Sequence, residues 1–198
     1  MSFRKEKKYR LTPSDQKKVK RILVEERMQK SFPSRTINSV YFDTGFLDMF
    51  EHSQEGVLPR KKVRLRWYDK SRSFYKETKI SSIEGRYKLS EPFISSDFLH
   101  NFDITLLDID YGPLKPILMV SYYREYFLFN NLRITFDTNI CYTDITSLNQ
   151  KPCFDQECVM ETKASIYTSD DYIESIINYP TSRFSKYARG LLKINDEL

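Results

Sequence analysis

Charged side chains recur two residues apart, and in one case four, in segments that otherwise read as β-strands: Glu6-x-Lys8, Arg64-x-Arg66, Glu77-x-Lys79, Arg133 with Asp137, and Glu161-x-Lys163. Residues i and i+2 of a strand point to the same face. Each such strand therefore turns charge to one side and apolar or aromatic groups to the other. A solvated outer sheet face explains one or two of them. Repetition along the whole chain points to a binding surface, and bases outnumber acids on it, so the fitting guest is a polyanion. The bases that would converge are Lys8, Arg64, Arg66, Lys79, Lys88, Arg124, Arg133, Lys163 and Lys186. Planar guanidinium forks and ammonium point charges bind phosphate groups well. Two roles stand open for the acids Glu6, Glu77, Asp137 and Glu161. They can hold the bases in place as ion-pair partners, or they can ligate a hard divalent cation such as Mg²⁺ or Mn²⁺. A metal bridging phosphate oxygens would offset charge in a phosphoryl-transfer transition state. Taken singly, an E-x-K pair on a strand is commonly an exposed cross-strand pair. Arg64-Leu65-Arg66-Trp67-Tyr68 alone would also suit a strand that binds nucleic acid through interleaved aromatics. The repetition favours a compact polyanion, and no nucleic acid is expected as partner.

The elements that must position these groups are mostly strands. Residues 3–11 read as the first. Thr12, Pro13 and Asp15 then open a helix as cap, first-turn proline and acid at the positive end. Its apolar stripe is expected at Val19, Ile22 and Leu23, with Val24 or Met28, and its lysines face out. Strands are expected at 37–43, 61–68, 73–80, 86–90, 117–129, 132–137 and 158–164. The Asn130-Asn131 pair suits the turn of a hairpin. Short helices are expected near 45–51 and 97–102, with Pro113 and Pro116 ending the connection that follows. Ser169 caps a helix running to about Tyr179, and Ser182 caps a last one through Arg189 to Leu192.

This pattern predicts a mainly β, α+β protein with about eight antiparallel strands closed into a barrel, and helices flanking it. Interior and exterior residues alternate in a barrel, and a charged interior is costly unless wet or paired. A charged row in every strand thus implies a water-filled basic tunnel. At 198 residues, without repeat, linker or low-complexity stretch, the chain is expected to be one domain spanning 1–198. Only 5 Gly are present, and neither G-x-x-x-x-G-K-[ST] nor G-x-G-x-x-G occurs, which argues against P-loop and Rossmann sites. Cys141, Cys153 and Cys158 form no C-x-x-C, so a disulfide scaffold or zinc ribbon is not expected and a reducing cytoplasm is. The two histidines, His52 and His100, rule out a multi-histidine metal site. No apolar run approaches the ~18 residues that a membrane span needs. Any membrane association is therefore expected to come through a partner protein.

The ordered motifs carry a family resemblance. Arg4-x-Glu6-x-Lys8-Tyr9, Ser39-Val40-Tyr41-Phe42-Asp43, Lys62-Val63-Arg64-Leu65-Arg66-Trp67-Tyr68 and Glu77-Thr78-Lys79 occur in that order. Tyr123-Arg124, Arg133-Ile134-Thr135-Phe136-Asp137, Glu161-Thr162-Lys163 and Ser185-Lys186-Tyr187 follow. The series resembles the catalytic, polyphosphate-polymerase domain of the vacuolar transporter chaperone (VTC) family, a branch of the triphosphate tunnel metalloenzymes with CYTH-like folds. It covers about residues 4 to 190. The resemblance implies an antiparallel barrel enclosing a basic tunnel. It further implies transfer of the ATP γ-phosphate onto a growing polyphosphate chain with a divalent metal. By motif, Lys8, Arg64, Arg66, Lys79, Lys88, Arg124, Arg133, Lys163 and Lys186 would line the tunnel and Glu161 would be the metal ligand. Arg86 shares a face with Lys88 and could take its place, and Lys163 could instead pair with Glu161. The hallmark E-x-E-x-K of the wider superfamily reads R-x-E-x-K here, because Arg4 stands at the first acidic position. That change favours the polymerase branch over the hydrolases. The competing expectations are an inorganic or nucleoside triphosphatase using the same site, and a non-catalytic polyphosphate sensor.

Overall fold

The computed structural model describes residues 4–71, 73–94, 102, 104–147 and 151–195. In chain order the elements are β1 (Arg4–Leu11), α1 (Pro13–Glu25), β2 (Gln29–Asp43), α2 (Asp48–Glu55), β3 (Arg60–Tyr68), β4 (Phe74–Ser82) and β5 (Gly85–Phe93). Then come β6 (Leu106–Asp108), β7 (Gly112–Phe129), β8 (Leu132–Asp144), β9 (Pro152–Phe154), β10 (Cys158–Ser165), α3 (Asp170–Ile176) and α4 (Lys186–Ile194). Hydrogen-bonded neighbours follow the order β1-β10-β8-β7-β2-β3-β4-β5, with β6 added to β7 and β9 to β8. The ladders β1/β10, β10/β8, β2/β3, β3/β4, β4/β5, β6/β7 and β8/β9 are antiparallel. The expected β-rich antiparallel architecture is present, and its main path has eight strands. That path ends at β1 and β5, and no ladder joins these two among the described residues, so the closed barrel is not part of the observed pairing.

Several boundaries differ from the sequence reading. β2 starts at Gln29 and runs through Pro33, and β7 starts at Gly112. Pro113 and Pro116 therefore sit within the first five residues of a long strand instead of ending a connection. Pro113 is tolerated there because its neighbour is only the three-residue β6. α2 begins at Asp48 and extends to Glu55. The last helix is capped by Ser185 in place of Ser182, with the Ser185 side chain accepting from Ala188 N. In α1, Thr12 caps as expected, yet the buried residues are Gln16, Val19 and Leu23, while Ile22 and Val24 are exposed. The expected helix at 97–102 lies outside the described residues except for Phe102.

The chain divides into two compact units, each discontinuous in sequence, and β2, β7 and β8 contribute to both. The first contains Met1–Thr36, Tyr122–Ile140 and Asp155–Phe184. Its apolar face gathers Tyr9 and Leu11 of β1, Ile134 and Phe136 of β8, Met160 and Ala164 of β10, and Phe127 and Phe129 of β7. Val19 and Leu23 of α1, Ile173 of α3 and Ile177 just after it cover this face. Each of these strand residues alternates with a residue of the opposite face, which is where the charges lie.

The second unit contains Ile37–Ser121, Cys141–Phe154 and Ser185–Leu198. Val40 and Phe42, Val63, Leu65 and Trp67, and Phe74 pack with Met49, Leu106 and Leu114. Asp43 ends β2 with its side chain fully buried. It accepts from the backbone N–H groups of Thr44 (2.8 Å), Met49 (2.9 Å) and Phe50 (3.0 Å), so one carboxylate supplies the N-terminal capping of α2. The Tyr187 hydroxyl of α4 donates a very short hydrogen bond to the same carboxylate. Burial lifts Asp43 above the ordinary carboxylate range even against these four donors, and burial beside Asp43 pushes the Tyr187 phenol up. The Tyr187 ring also stacks on Tyr41, with centroids 5.0 Å apart and planes 16° apart. At Gly190 the next turn of α4 comes so close that a Cβ would lie 2.6 Å from both Leu118 Cδ2 and Tyr142 Cδ1.

Two stability outcomes follow from this anchoring of α4. Tyr187→Phe leaves the buried Asp43 carboxylate short of one donor and should cost about 1–3 kcal/mol in chemical denaturation. An unchanged denaturation midpoint would show that the bond contributes nothing. Gly190→Ala gains about 1 kcal/mol of helix propensity, but forcing a methyl against two buried side chains costs about 1–3 kcal/mol. The net expectation is a lowered melting temperature, and a raised one would refute the close packing.

Candidate functional site

In the first unit the charged residues fall into register. Glu6 stands opposite Lys163, and Lys163 opposite Arg133; Lys8 stands opposite Glu161, and Glu161 opposite Thr135. The Lys163 ammonium bridges two carboxylates, 3.2 Å from Glu6 Oε1 and 3.0 Å from Glu161 Oε1. Lys8 Nζ donates to the Phe184 carbonyl at 2.7 Å. Arg124 grips Asp137 with a two-pronged contact, Nε–Oδ1 at 2.5 Å and Nη2–Oδ2 at 2.7 Å, and its guanidinium lies 5.2 Å from the Tyr122 ring centre. Arg133 is exposed. Burial disfavours the charge on Glu161, but Lys163, Lys8 and Arg124 outweigh it and hold the carboxyl at about 2. Burial likewise opposes the charge on Arg124, and Asp137 more than restores it, holding its pKa well above the ordinary arginine value.

The second unit carries a more one-sided face. Ser39 and Tyr41 of β2 stand opposite Arg66 and Arg64 of β3. Arg64 faces Glu77 of β4, and Glu77 faces Ser90 of β5. Glu77 is the buried hub. Arg64 reaches it at 2.8 and 2.5 Å, Lys88 at 2.6 Å and Arg66 at 3.5 Å. Desolvation alone would raise this carboxyl, yet the two guanidiniums and Lys88 hold it at about 2. Arg64 also donates to the Tyr41 hydroxyl at 2.9 Å, and Arg66 Nε to Ser39 Oγ at 3.2 Å. The adjoining row is Lys62, Lys79 and Lys88, three bases directly opposite one another across β3, β4 and β5. Lys186 opens α4 in the same unit. Its charge, after those of Arg64 and Arg66, helps pull the Tyr41 phenol below its ordinary value against the effect of burial.

The expected residues thus fall on two faces. Lys8, Arg124, Arg133 and Lys163 share one with Glu6, Asp137 and Glu161. Arg64, Arg66, Lys79, Lys88 and Lys186 share the other with Glu77. Arg86 lies on the Lys88 face, opposite Ser81. The Lys163–Glu161 pairing, one of two alternatives in the sequence, is present. Four participants were missed. Lys62 continues the two-residue spacing of Arg64 and Arg66 and could have been found by extending it; its ammonium donates to Ser185 Oγ at 2.9 Å. Ser39 and Tyr41 carry no charge to betray them. Asp43 reads as a strand-terminal acid, and nothing local shows that it anchors α4.

Glu161 and Glu6 are oxygen donors already sharing a cation, the Lys163 ammonium. Such a pair fits a divalent ion held by one or two carboxylates together with phosphate oxygens and water, the usual mode for Mg²⁺. No cluster of three or more His, Cys, Asp or Glu residues able to hold a metal occurs among the described residues. The donor set therefore suits a metal shared with substrate and does not suit an all-protein cage. His52 Nδ1 lies 2.9 Å from the Tyr111 hydroxyl, and His100 is outside the described residues. No helix among the described residues is long and apolar enough to cross a membrane.

Comparison with known proteins bears on the family and the fold. No curated protein matches the sequence. Among solved structures, a Hippeastrum protein named as an adenylyl cyclase, and described as having a dominant triphosphatase activity, aligns over 98% of this chain and 96% of its own. The TM-score is 0.58 at 15% identity. A conserved hypothetical protein of Pyrococcus furiosus aligns over 94% and 99%, with TM-score 0.56 and 11% identity. A Bacillus halodurans protein, also named after adenylate cyclases, aligns over 98% and 92%, with TM-score 0.52 and 13% identity. At these identities the likeness is one of fold. The family model described as "VTC domain" matches residues 3–102 and 103–195, and the chain belongs to the VTC domain family.

Proposed function

We propose that this VTC domain, acting as a single functional domain, carries out metal-dependent phosphoryl transfer on triphosphate or polyphosphate, and that its reaction is polyphosphate synthesis from ATP. The observation that carries the reading is the Lys62–Lys79–Lys88 row. Like charges placed directly opposite across a sheet are destabilising; Glu77 offsets Lys88, Arg64 and Arg66, and five aligned bases around that one carboxylate form a face that favours an anion. Phosphoryl transfer asks little covalent chemistry of the protein, so positioning and charge compensation suffice. On this reading Lys8, Arg64, Arg66, Lys79, Lys88, Arg124, Arg133 and Lys186 bind and orient phosphate oxygens. Glu77 and Asp137 hold the arginine forks at fixed angles. Glu161, with Glu6 beside it, would hold the divalent ion once Lys163 turns toward phosphate. When bound, that ion would offset charge on the transferring phosphoryl group.

Arg4 in place of an acid favours polymerase over hydrolase. The triphosphatase described for the Hippeastrum protein of the same fold supports hydrolysis as the second reading. Incubating the pure protein with ATP and Mn²⁺ should yield polyphosphate and ADP. Orthophosphate alone would mean a triphosphatase, and tight tripolyphosphate binding without turnover would mean a sensor. Arg66→Ala and Glu161→Ala should each lower turnover by about 100-fold or more; wild-type rates in either variant would refute its placement in the site. Affinity for tripolyphosphate should fall about tenfold or more as salt rises from low to physiological strength and beyond, since several bases each meet a phosphate. A salt-independent affinity would refute the phosphate-binding face.

The acids give a pH outcome with a definite sign. Glu77 and Glu161 have folded-state values of about 2, below the ordinary 4.5. Their stabilisation is therefore complete above about pH 5 and disappears as pH falls from there toward 2. Wild-type denaturation stability should fall across that window, and Glu77→Gln, less stable at pH 7, should show a flatter decline. Parallel curves would mean that the buried carboxylate is not charged in the fold.

A further inference from the structure

We propose that the Thr135 hydroxyl is a substrate contact, donating a hydrogen bond to a phosphate oxygen of the chain bound on the charged face of the first unit. The proposal rests on the phosphoryl-transfer reading above and adds an uncharged residue to it. Four buried side-chain polar atoms among the described residues lack a hydrogen-bond partner: Tyr9 Oη, Thr135 Oγ1, Thr162 Oγ1 and Ser182 Oγ. Tyr9 and Thr162 lie on the core side, where their hydroxyls approach each other short of hydrogen-bond geometry. Ser182 belongs to the segment whose backbone N–H is bonded to the Lys8 carbonyl.

Thr135 is placed differently. Its neighbours Ile134 and Phe136 enter the apolar core, so strand alternation turns Thr135 to the face of Arg133 and Asp137. Pairing sets it opposite Glu161, which stands opposite Lys8. Only 9% of the residue is exposed. A buried hydroxyl without a partner is a cost in the free protein. Glu161, the acceptor beside it, is turned to Lys163 instead. Lys8, Arg124, Arg133 and Lys163 share this face with Glu6, Asp137 and Glu161, and the group proposed to meet this hydroxyl is an anion held by those bases. A hydroxyl hydrogen rotates to suit an acceptor. Next to the carboxylate suited to a divalent ion, a neutral donor serves where another ammonium would be repelled by that ion.

The contact has an unusual signature: removing the hydroxyl should cost nothing in the free protein and something in the complex. Thr135→Val keeps the shape and deletes the donor, and Thr135→Ser keeps the donor. The measurements are ligand-free melting temperature and the Kd for inorganic tripolyphosphate by titration calorimetry in EDTA. Thr135→Val should melt at or above the wild type and bind about 10- to 100-fold more weakly, and Thr135→Ser should bind within roughly threefold of the wild type. A wild-type Kd in Thr135→Val overturns the proposal. So does a lowered ligand-free melting temperature, which would mean that the hydroxyl has a structural partner. A loss seen only after a divalent cation is added also overturns it, since the hydroxyl would then serve the ion. If the wild type binds no tripolyphosphate, the phosphoryl-transfer reading falls too; if it binds and Thr135→Val binds equally, only this contact falls.

Discussion

Antiparallel pairing in strict register is the constraint on which the other features depend. Pairing fixes which residue of one strand stands opposite which residue of the next, and the two-residue period then fixes what shares a face. In the first unit a one-residue slip between β8 and β10 would send Ile134 and Phe136 to the charged face and bury Arg133 and Asp137 in the core. In the second, Val63, Leu65 and Trp67 alternate with Lys62, Arg64 and Arg66 under the same rule. The apolar face specifies the register through its burial, and the charged face is carried into alignment by it.

A face built in this way must manage its own electrostatics. Burial opposes the charge on Glu77 and on Glu161, and in both cases neighbouring bases prevail. The solutions differ. In the second unit one carboxylate gathers Arg64, Arg66 and Lys88 and fixes the guanidiniums, on a face where the named bases outnumber the named acid. In the first unit bases and acids are closer to parity, with Lys163 between two carboxylates and Arg124 locked on Asp137. The first arrangement suits binding of anions; the second suits a site where an anion and a cation are held together.

The anchoring of α4 shows how a buried polar group can organise a site without touching ligand. Asp43 ends a strand, caps α2 and receives the Tyr187 hydroxyl, while Tyr187 stacks on Tyr41, which receives a hydrogen bond from Arg64. The position of Lys186 at the start of α4 and the orientation of Arg64 are therefore mechanically linked. Such a linkage needs a fully satisfied network, because a partly satisfied one in a low-dielectric interior is worse than none.

What the sequence by itself determined is the eight strands of the main path, their two faces and most of the charged residues proposed for the site, because a period of two is written locally and each strand declares its own alternation; the three-residue β6 and β9 are too short to show one. The Thr12 and Ser169 caps and the Asn130-Asn131 turn were legible for the same reason: a cap or a turn involves only a few adjacent residues. Only the tertiary structure decided which charges neutralise one another. Whether Lys163 meets Glu161, whether Lys79 faces Lys62 and Lys88, and whether Thr135 keeps a hydroxyl unpartnered opposite Glu161 depend on register between strands distant in sequence. The Asp43–Tyr187 bond, the exposure of Ile22 and the capping of the last helix by Ser185 likewise depend on which surface each helix meets. Burial and long-range pairing set the cost of every polar group, and neither is encoded in the spacing of residues along one strand.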